Sequence, residues 1–121
     1  MDANILIDAL LGYPLAHDEL RYLAGCGAEL WISRMVWMEV LSKGEEDLIG
    51  ETMRFLEPFG IDEIDGDTAE RAAQLRRERP RLKSSDAIIL SSAQLNGRTL
   101  VTRNTRDFPT DMPGVRVPYT L

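Results

Sequence analysis

The sequence has little of what cysteine and histidine chemistry needs. Cys26 is the only cysteine and His17 the only histidine among 121 residues. An internal disulfide and a cysteine-rich zinc site are therefore excluded. A Ser-His-Asp triad or a histidine-based zinc site would depend on His17 alone, which lies in a polar stretch. Glycine-rich phosphate loops of the G-x-x-x-x-G-K and G-x-G-x-x-G types are also missing.

Long apolar runs and excess positive charge are lacking as well. No run approaches the length of a membrane span, and the N-terminus lacks the basic flank and cleavage site of a signal peptide, so we expect a cytoplasmic protein with no membrane contact. The formal net charge of −6 argues against a broad cationic surface for nucleic acid. An acidic enzyme can still act on phosphodiesters when divalent cations neutralise its acids and a few arginines hold the strand.

What is present predicts one folded unit. With 44% hydrophobic residues, the chain can bury a normal core as a single domain over residues 1–121. The spacing of apolar residues and the positions of glycine and proline predict the secondary structure. Helices are predicted over 1–10, 17–26, 34–44, 45–59, 68–80 and 84–96, and strands over 28–33, 60–65, 98–102 and 115–119. Because the connections are too long for hairpins, this order predicts an α/β fold whose mainly parallel sheet has helices on both faces.

One carboxylate lies at the start of an otherwise apolar helix. Asp86 falls in the first turn of the helix over 84–96, where Ser84 or Ser85 can cap the unpaired amides. The helix dipole favours an ionised carboxylate there, so Asp86 considered alone needs no functional explanation. A functional role requires other acids in equally unusual surroundings.

Two further acids have such surroundings. Glu39 lies in segment 35–41, where all other residues are apolar, and Asp2 closely precedes the apolar segment 5–7. A buried lone carboxylate costs several kcal/mol unless it finds a cation, a metal ion or a proton. Exposure of Glu39 on a solvated stripe, and a capping role for an exposed Asp2, remain alternatives at this point.

The fourth place is the loop after the strand over 98–102. Asn104 and Asp107 lie just past its end, where a parallel α/β sheet places its ligand site. Turn chemistry is the simpler explanation for this loop considered alone. Grouped with the three acids, however, it predicts a set of repelling carboxylates that needs divalent cations, and oxygen ligands select Mg²⁺ or Mn²⁺ over zinc.

Four motifs, in order along the whole chain, closely resemble those of the PIN-domain ribonucleases. They are D-x-N-I-L-I at 2–7, S-x-x-x-x-x-E at 33–39, S-D-A-I-I-L-S-S-A at 85–93 and V-T-R-N-T-R-D-F at 101–108. Within that family the chain looks most like the VapC-like toxins of bacterial and archaeal toxin–antitoxin pairs. The resemblance implies a three-layer α/β/α PIN-like domain with a central sheet of four to five strands. It also implies a Mg²⁺- or Mn²⁺-dependent endoribonuclease whose cut leaves a 5′-phosphate and a 3′-hydroxyl.

The resemblance assigns roles to particular residues. It implies that Asp2, Glu39 and Asp86 are catalytic metal ligands and that Asn4 holds Asp2 in place. The fourth acidic position reads Asn104 followed by Asp107, and either could contact the metal. The chain departs from the family pattern in Ala3, where a Ser or Thr is usual, and in having only Met1 where a short apolar strand usually precedes the first aspartate.

Substrate and protein partners follow from the same reasoning. Candidate RNA phosphate contacts are the cations that flank the motifs, namely Arg34, Lys83, Arg103 and Arg106, although each could equally be solvated surface charge. An arginine cluster could extend this path, dock an acidic partner or form helix salt bridges; it comprises Arg71, Arg76, Arg77, Arg79 and Arg81. The resemblance implies a cognate antitoxin and a homodimer.

Two non-catalytic interpretations remain open. One is a PIN-like domain that only binds RNA or a protein partner, and the other is a receiver-like acidic-pocket module that binds Mg²⁺. A receiver also needs a lysine after a late strand and paired acids after its first strand, and neither is evident.

Overall fold

Six α-helices and four short parallel strands form the fold in the computed structural model, which describes residues 1–121. The helices are α1 (Ala3–Leu10), α2 (Pro14–Gly25), α3 (Arg34–Leu41), α4 (Ile49–Leu56), α5 (Gly66–Glu78) and α6 (Ser84–Leu95). The strands are β1 (Trp31–Ser33), β2 (Gly60–Asp62), β3 (Leu100–Val101) and β4 (Val115–Arg116). A 3₁₀ turn over Glu46–Leu48 precedes α4. The predicted alternation of helices with parallel strands is confirmed.

The strands form two parallel pairs instead of one continuous sheet. β1 pairs with β2 and β3 pairs with β4. The first two residues lie between the pairs: the Met1 ammonium donates to the Trp31 carbonyl at 3.0 Å, and the Asp2 amide donates to the Val101 carbonyl at 2.8 Å. Met1 and Asp2 belong to neither ladder, so the expected sheet of four to five strands is represented by these pairs and the backbone link between them.

Several elements are shorter than the sequence pattern predicts. The helix expected over 45–59 begins as the 3₁₀ turn, because Leu48 leaves the helical region at φ −96°, ψ 1°. The four strands together cover only ten residues. The predicted cap of α6 by Ser84 or Ser85 was wrong, because α6 begins at Ser84 after Lys83 without any side-chain cap. α5 is capped by Asp65, which accepts from the Thr68 amide.

The core lies between the helices and the strands. One cluster of 15 buried apolar residues includes Leu6 of α1, Val36 of α3, Leu90 of α6 and Leu100 of β3. Phe108, in the loop after β3, is completely buried in the same cluster and anchors that loop. The core thus fixes α1, α3, α6 and this loop relative to one another, and each of them carries a predicted site residue.

No helix is both long enough and apolar enough to cross a membrane.

Candidate active site

Asp2 is fixed in place by three donors. It caps α1, its side chain is almost fully buried, and its Oδ1 accepts from the Ala3 amide at 2.7 Å. Its Oδ2 accepts from Thr102 Oγ1 at 2.7 Å and from Asn4 Nδ2 at 3.3 Å. Burial raises the pKa of Asp2, although the bonds from Thr102 and Ala3 oppose the shift. Asp2 therefore caps the helix, as one interpretation of the sequence predicts, but it is buried and not exposed.

Glu39 lies on α3, whose position is set by its capping residue. Ser33 ends β1, and its hydroxyl accepts from the Met35 and Val36 amides, so the chain passes directly from strand to helix. Glu39 is half-buried, and its Oε1 is a buried oxygen without a hydrogen-bond partner. Burial, followed by the charges of Asp2 and Asp86, raises the pKa of Glu39. Such an oxygen is unfavourable until a cation or a proton reaches it.

Asp86 occupies the first turn of α6, as the sequence predicts. Burial raises its pKa to about 6, and the charges of Asp2 and Asp107 add to this shift. Lys83 opposes the shift. Asp86 therefore responds electrostatically to two of the other predicted acids.

The loop after β3 has a definite conformation. Asn104 Nδ2 donates to Asp107 Oδ2 at 3.0 Å, and the Asp107 amide returns a bond to Asn104 Oδ1 at 3.3 Å. Thr102 Oγ1 accepts from the Asn104 amide at 3.0 Å. Within this arrangement Asp107 is the acid that interacts with Asp86, while Asn104 orients Asp107. Which of the two contacts a metal stays a prediction.

The four predicted phosphate-binding cations differ in their surroundings. The exposed Arg34 forms a salt bridge with Glu63, and Arg103 forms one with the buried Asp8. Both guanidinium groups thus have partners within the protein, and their contact with RNA stays a prediction. Lys83 and Arg106 have no such partner and line a shared groove next to Asp107.

Sequence reasoning missed two residues that hold this region together. Thr102 is completely buried and donates a hydrogen bond to Asp2, whereas in the sequence it is only the last residue of a predicted strand. Asp8 is also buried, and it accepts from both Arg103 and Tyr119. Each had a signal in the sequence: Thr102 is the first polar residue after the buried pair Leu100–Val101, and Asp8 is an acid inside an apolar helix.

The acids match a hard divalent cation in donor type and charge. They supply only oxygen donors, their negative charges raise one another's pKa values, and Glu39 Oε1 lacks a partner. No three side chains are, however, already arranged as a set of metal ligands. Binding would therefore have to draw Glu39 and Asp86 towards the fixed Asp2.

The chain is similar in sequence and fold to proteins of one family. A PIN-domain family model matches residues 1–110. The toxin–antitoxin complex from Klebsiella pneumoniae contains a chain with 40% identity and a TM-score of 0.84, covering 99% of this chain and 97% of that one. VapBC2 from Rickettsia felis, crystallised with a DNA fragment from its promoter, shares the fold at 24% identity and a TM-score of 0.76, covering 94% and 92%. No curated protein matches.

The chain therefore belongs to the PIN-domain family. Its predicted resemblance to the VapC-like members is confirmed. Proteins of this kind are typically nucleases, so the chain falls in the hydrolase class, and PIN nucleases in general use divalent metal ions.

Proposed function

We propose that this protein is a Mg²⁺- or Mn²⁺-dependent endoribonuclease and acts as the toxin of a toxin–antitoxin pair. The observation that carries the proposal is that the fold places four acids within electrostatic reach of one another: Asp2 and Asp86 raise the pKa of Glu39, and Asp2 and Asp107 raise the pKa of Asp86. Such a cluster is unfavourable for stability. A role in holding divalent cations for phosphodiester hydrolysis would explain why the protein has it.

Asp2, Glu39 and Asp86 would hold the metal, with Asp107 as the fourth acid. A bound Mg²⁺ or Mn²⁺ would lower the pKa of a water molecule and stabilise charge on the phosphoryl oxygens. The protein supplies the rest. Thr102 and Asn4 fix the Asp2 carboxylate, and the bonds between Asn104 and Asp107 aim Asp107 at Asp86. Lys83 places a positive charge close enough to Asp86 and Glu39 to lower their pKa values, where it can attract a substrate phosphate.

RNA as the substrate and an antitoxin as the partner extend the family assignment. The 40% identical chain comes from a toxin–antitoxin complex, which supports an antitoxin partner for this chain. Exposed apolar side chains on and between α1 and α2, among them Leu11, Leu15 and Tyr22, support a protein partner or a homodimer. Sedimentation of the purified protein, alone and with the product of a neighbouring small gene, would measure both associations.

The decisive experiment is cleavage of a single-stranded RNA with Mn²⁺ or Mg²⁺. We expect cleavage by the wild-type protein, loss of cleavage with EDTA, and loss of at least a hundredfold in rate for Asp86→Asn. Asp47→Asn is the matched control, because it removes an acid of the same type from the exposed 3₁₀ turn. Cleavage that survives both EDTA and Asp86→Asn would exclude the metal mechanism. Failure of the wild-type protein to cut any RNA would favour a non-catalytic PIN-like module.

A further inference from the structure

A groove beside the acid cluster concentrates positive charge in a protein of net charge −6. It has a volume of about 570 Å³ and lies between the segment joining α5 to α6 and the loop after β3. Four of its seven lining residues are cationic: Arg79, Arg81, Lys83 and Arg106. The only acid on its wall is Asp107.

These cations are not neutralised within the protein. Each of the five salt bridges involves an arginine outside the groove, namely Arg21, Arg34, Arg98, Arg103 or Arg116. Arg79 donates to the Asp107 carbonyl, and its Nη1 is buried without a partner. No acid lies within salt-bridge distance of any of the four groove cations, although the chain has 20 acids to place. The imbalance indicates an anionic ligand from outside.

The groove is continuous with the acid cluster. Asp107 belongs to both, and Lys83 precedes the helix turn that contains Asp86. Because the groove adjoins the acids and its cations lack salt-bridge partners, an anionic strand that reaches the acid cluster is attracted into the groove.

The lining also indicates what part of the strand is recognised. The groove has no aromatic residue on which a base could stack, and its single apolar side chain is Leu82. Arginine and lysine side chains bind phosphate oxygens, and without an aromatic side chain the groove offers no stacking platform for bases. The ligand class is thus a phosphodiester backbone.

We propose that the phosphates of a single-stranded RNA on one side of the cut lie in this groove, with Arg81 and Arg106 as sequence-independent contacts. This inference rests on the proposed ribonuclease function. It assigns the strand a path that leaves the acid cluster through the groove.

Binding can be measured separately from cleavage in Asp86→Asn protein. Fluorescence anisotropy of a labelled single-stranded RNA would give Kd as a function of salt for Arg81→Ala, Arg106→Ala and the double variant. We expect about fivefold weaker binding for each single variant. The slope of log K against log salt should become shallower by about 0.7 for each lost contact. Arg54→Ala is the matched control, since Arg54 is exposed, unpaired and on α4, outside the groove.

Three results would overturn the groove proposal. The first is a double variant that binds RNA with the Kd and salt slope of the control, and the second is absence of RNA binding by the Asp86→Asn protein. The third is displacement of the RNA by an oligoglutamate peptide at lower concentration than by unlabelled RNA, which would assign the groove to an acidic protein segment. Restored binding in Arg81→Lys and Arg106→Lys would support the proposal.

The two proposals fail in different ways. Wild-type protein that binds RNA through the groove but does not cut it with Mn²⁺ would overturn the nuclease and support the groove. Wild-type protein that cuts RNA, while the double variant binds as the control does, would overturn the groove alone.

Discussion

The Asp8 carboxylate accepts two hydrogen bonds from Arg103, from Nε at 2.6 Å and from Nη2 at 3.1 Å. Asp8 is only 1% exposed, and the Tyr119 hydroxyl gives it a third donor at 2.8 Å. This ion pair joins α1 to the loop after β3 and to the C-terminal segment. The Arg103 amide also lies 3.4 Å from Asn4 Oδ1, so two side chains of α1 hold the residue that follows Thr102.

Arg103→Ala should therefore act on folding. Removing the guanidinium leaves a buried carboxylate with one donor, which we expect to lower the free energy of unfolding by about 3 kcal/mol. Arg34→Ala is the matched control, because its partner Glu63 is exposed, and it should cost less than about 1 kcal/mol. Urea denaturation of both variants measures the difference. Equal, small losses would contradict the structural role of Arg103.

Thr102→Val tests the support of Asp2. Valine keeps the shape of threonine but removes the donor to Asp2 Oδ2, so the carboxylate loses the shorter of its two side-chain bonds. We expect metal affinity to fall by about tenfold, as is typical when a group that orients a metal ligand is lost. Titration calorimetry with Mn²⁺ gives the affinity. Thr102→Ser keeps the hydroxyl and should restore most of it, whereas equal weakening in both variants would assign the effect to packing.

The metal-free protein should lose stability as the pH rises from 4 to 6. Burial and neighbouring charge raise the pKa of Asp86 to about 6, and the pKa of Glu39 is raised as well. An acid whose pKa is higher in the folded state stabilises the fold at low pH, and this contribution disappears as the pH rises through the folded-state pKa. Because Asp86 is half-exposed, we expect a loss of about 1–2 kcal/mol from this residue.

Urea denaturation in EDTA across this pH range measures that loss. Asp86→Asn should flatten the profile and make the metal-free protein more stable at pH 7. A wild-type stability that increases steadily from pH 4 to 6 would contradict the assigned direction of the pKa shifts.

Metal binding should reverse this destabilisation. At pH 7, Mg²⁺ at about a hundred times its Kd should stabilise the wild-type protein by about 2.7 kcal/mol, which corresponds to a rise in Tm of several degrees. The effect should be lost in Glu39→Gln, because the unpartnered Oε1 no longer belongs to a carboxylate. Thermal unfolding followed by circular dichroism suffices. A Tm that responds equally to Mg²⁺ in Glu39→Gln and wild-type protein would remove Glu39 from the metal ligands.

Local patterns predicted most of the fold but not its details. Apolar spacing placed all six helices, because each buries one face and carries polar residues on the other. The strands were overestimated, since residues 28–30 and 117–119 lie beyond the parallel pairings. Backbone pairing depends on which segments meet in space, and a sequence window does not contain that information.

The same limit applies to the site. Unusual surroundings identified Asp2, Glu39 and Asp86, since an acid among apolar residues stands out in the sequence. Thr102 did not stand out, because a threonine ending a strand is ordinary until a carboxylate 100 positions earlier is found beside it. The sequence also does not show whether an arginine forms a salt bridge, because its partner can be an acid distant in sequence, as Asp8 is from Arg103.

Because Thr102 follows Asp2 by 100 positions, the hydrogen bond between them can form only late in synthesis of the chain. A growing chain contains Asp2, Glu39 and Asp86 well before it contains Thr102 and the Val101 carbonyl that hold Asp2. Because domains complete their folding only when their last packed segments have been made, a translation product that stops before β3 carries the three acids without the groups that fix the first of them. Truncated chains are therefore expected to be inert, and the capacity for catalysis arises only with the final fifth of the protein.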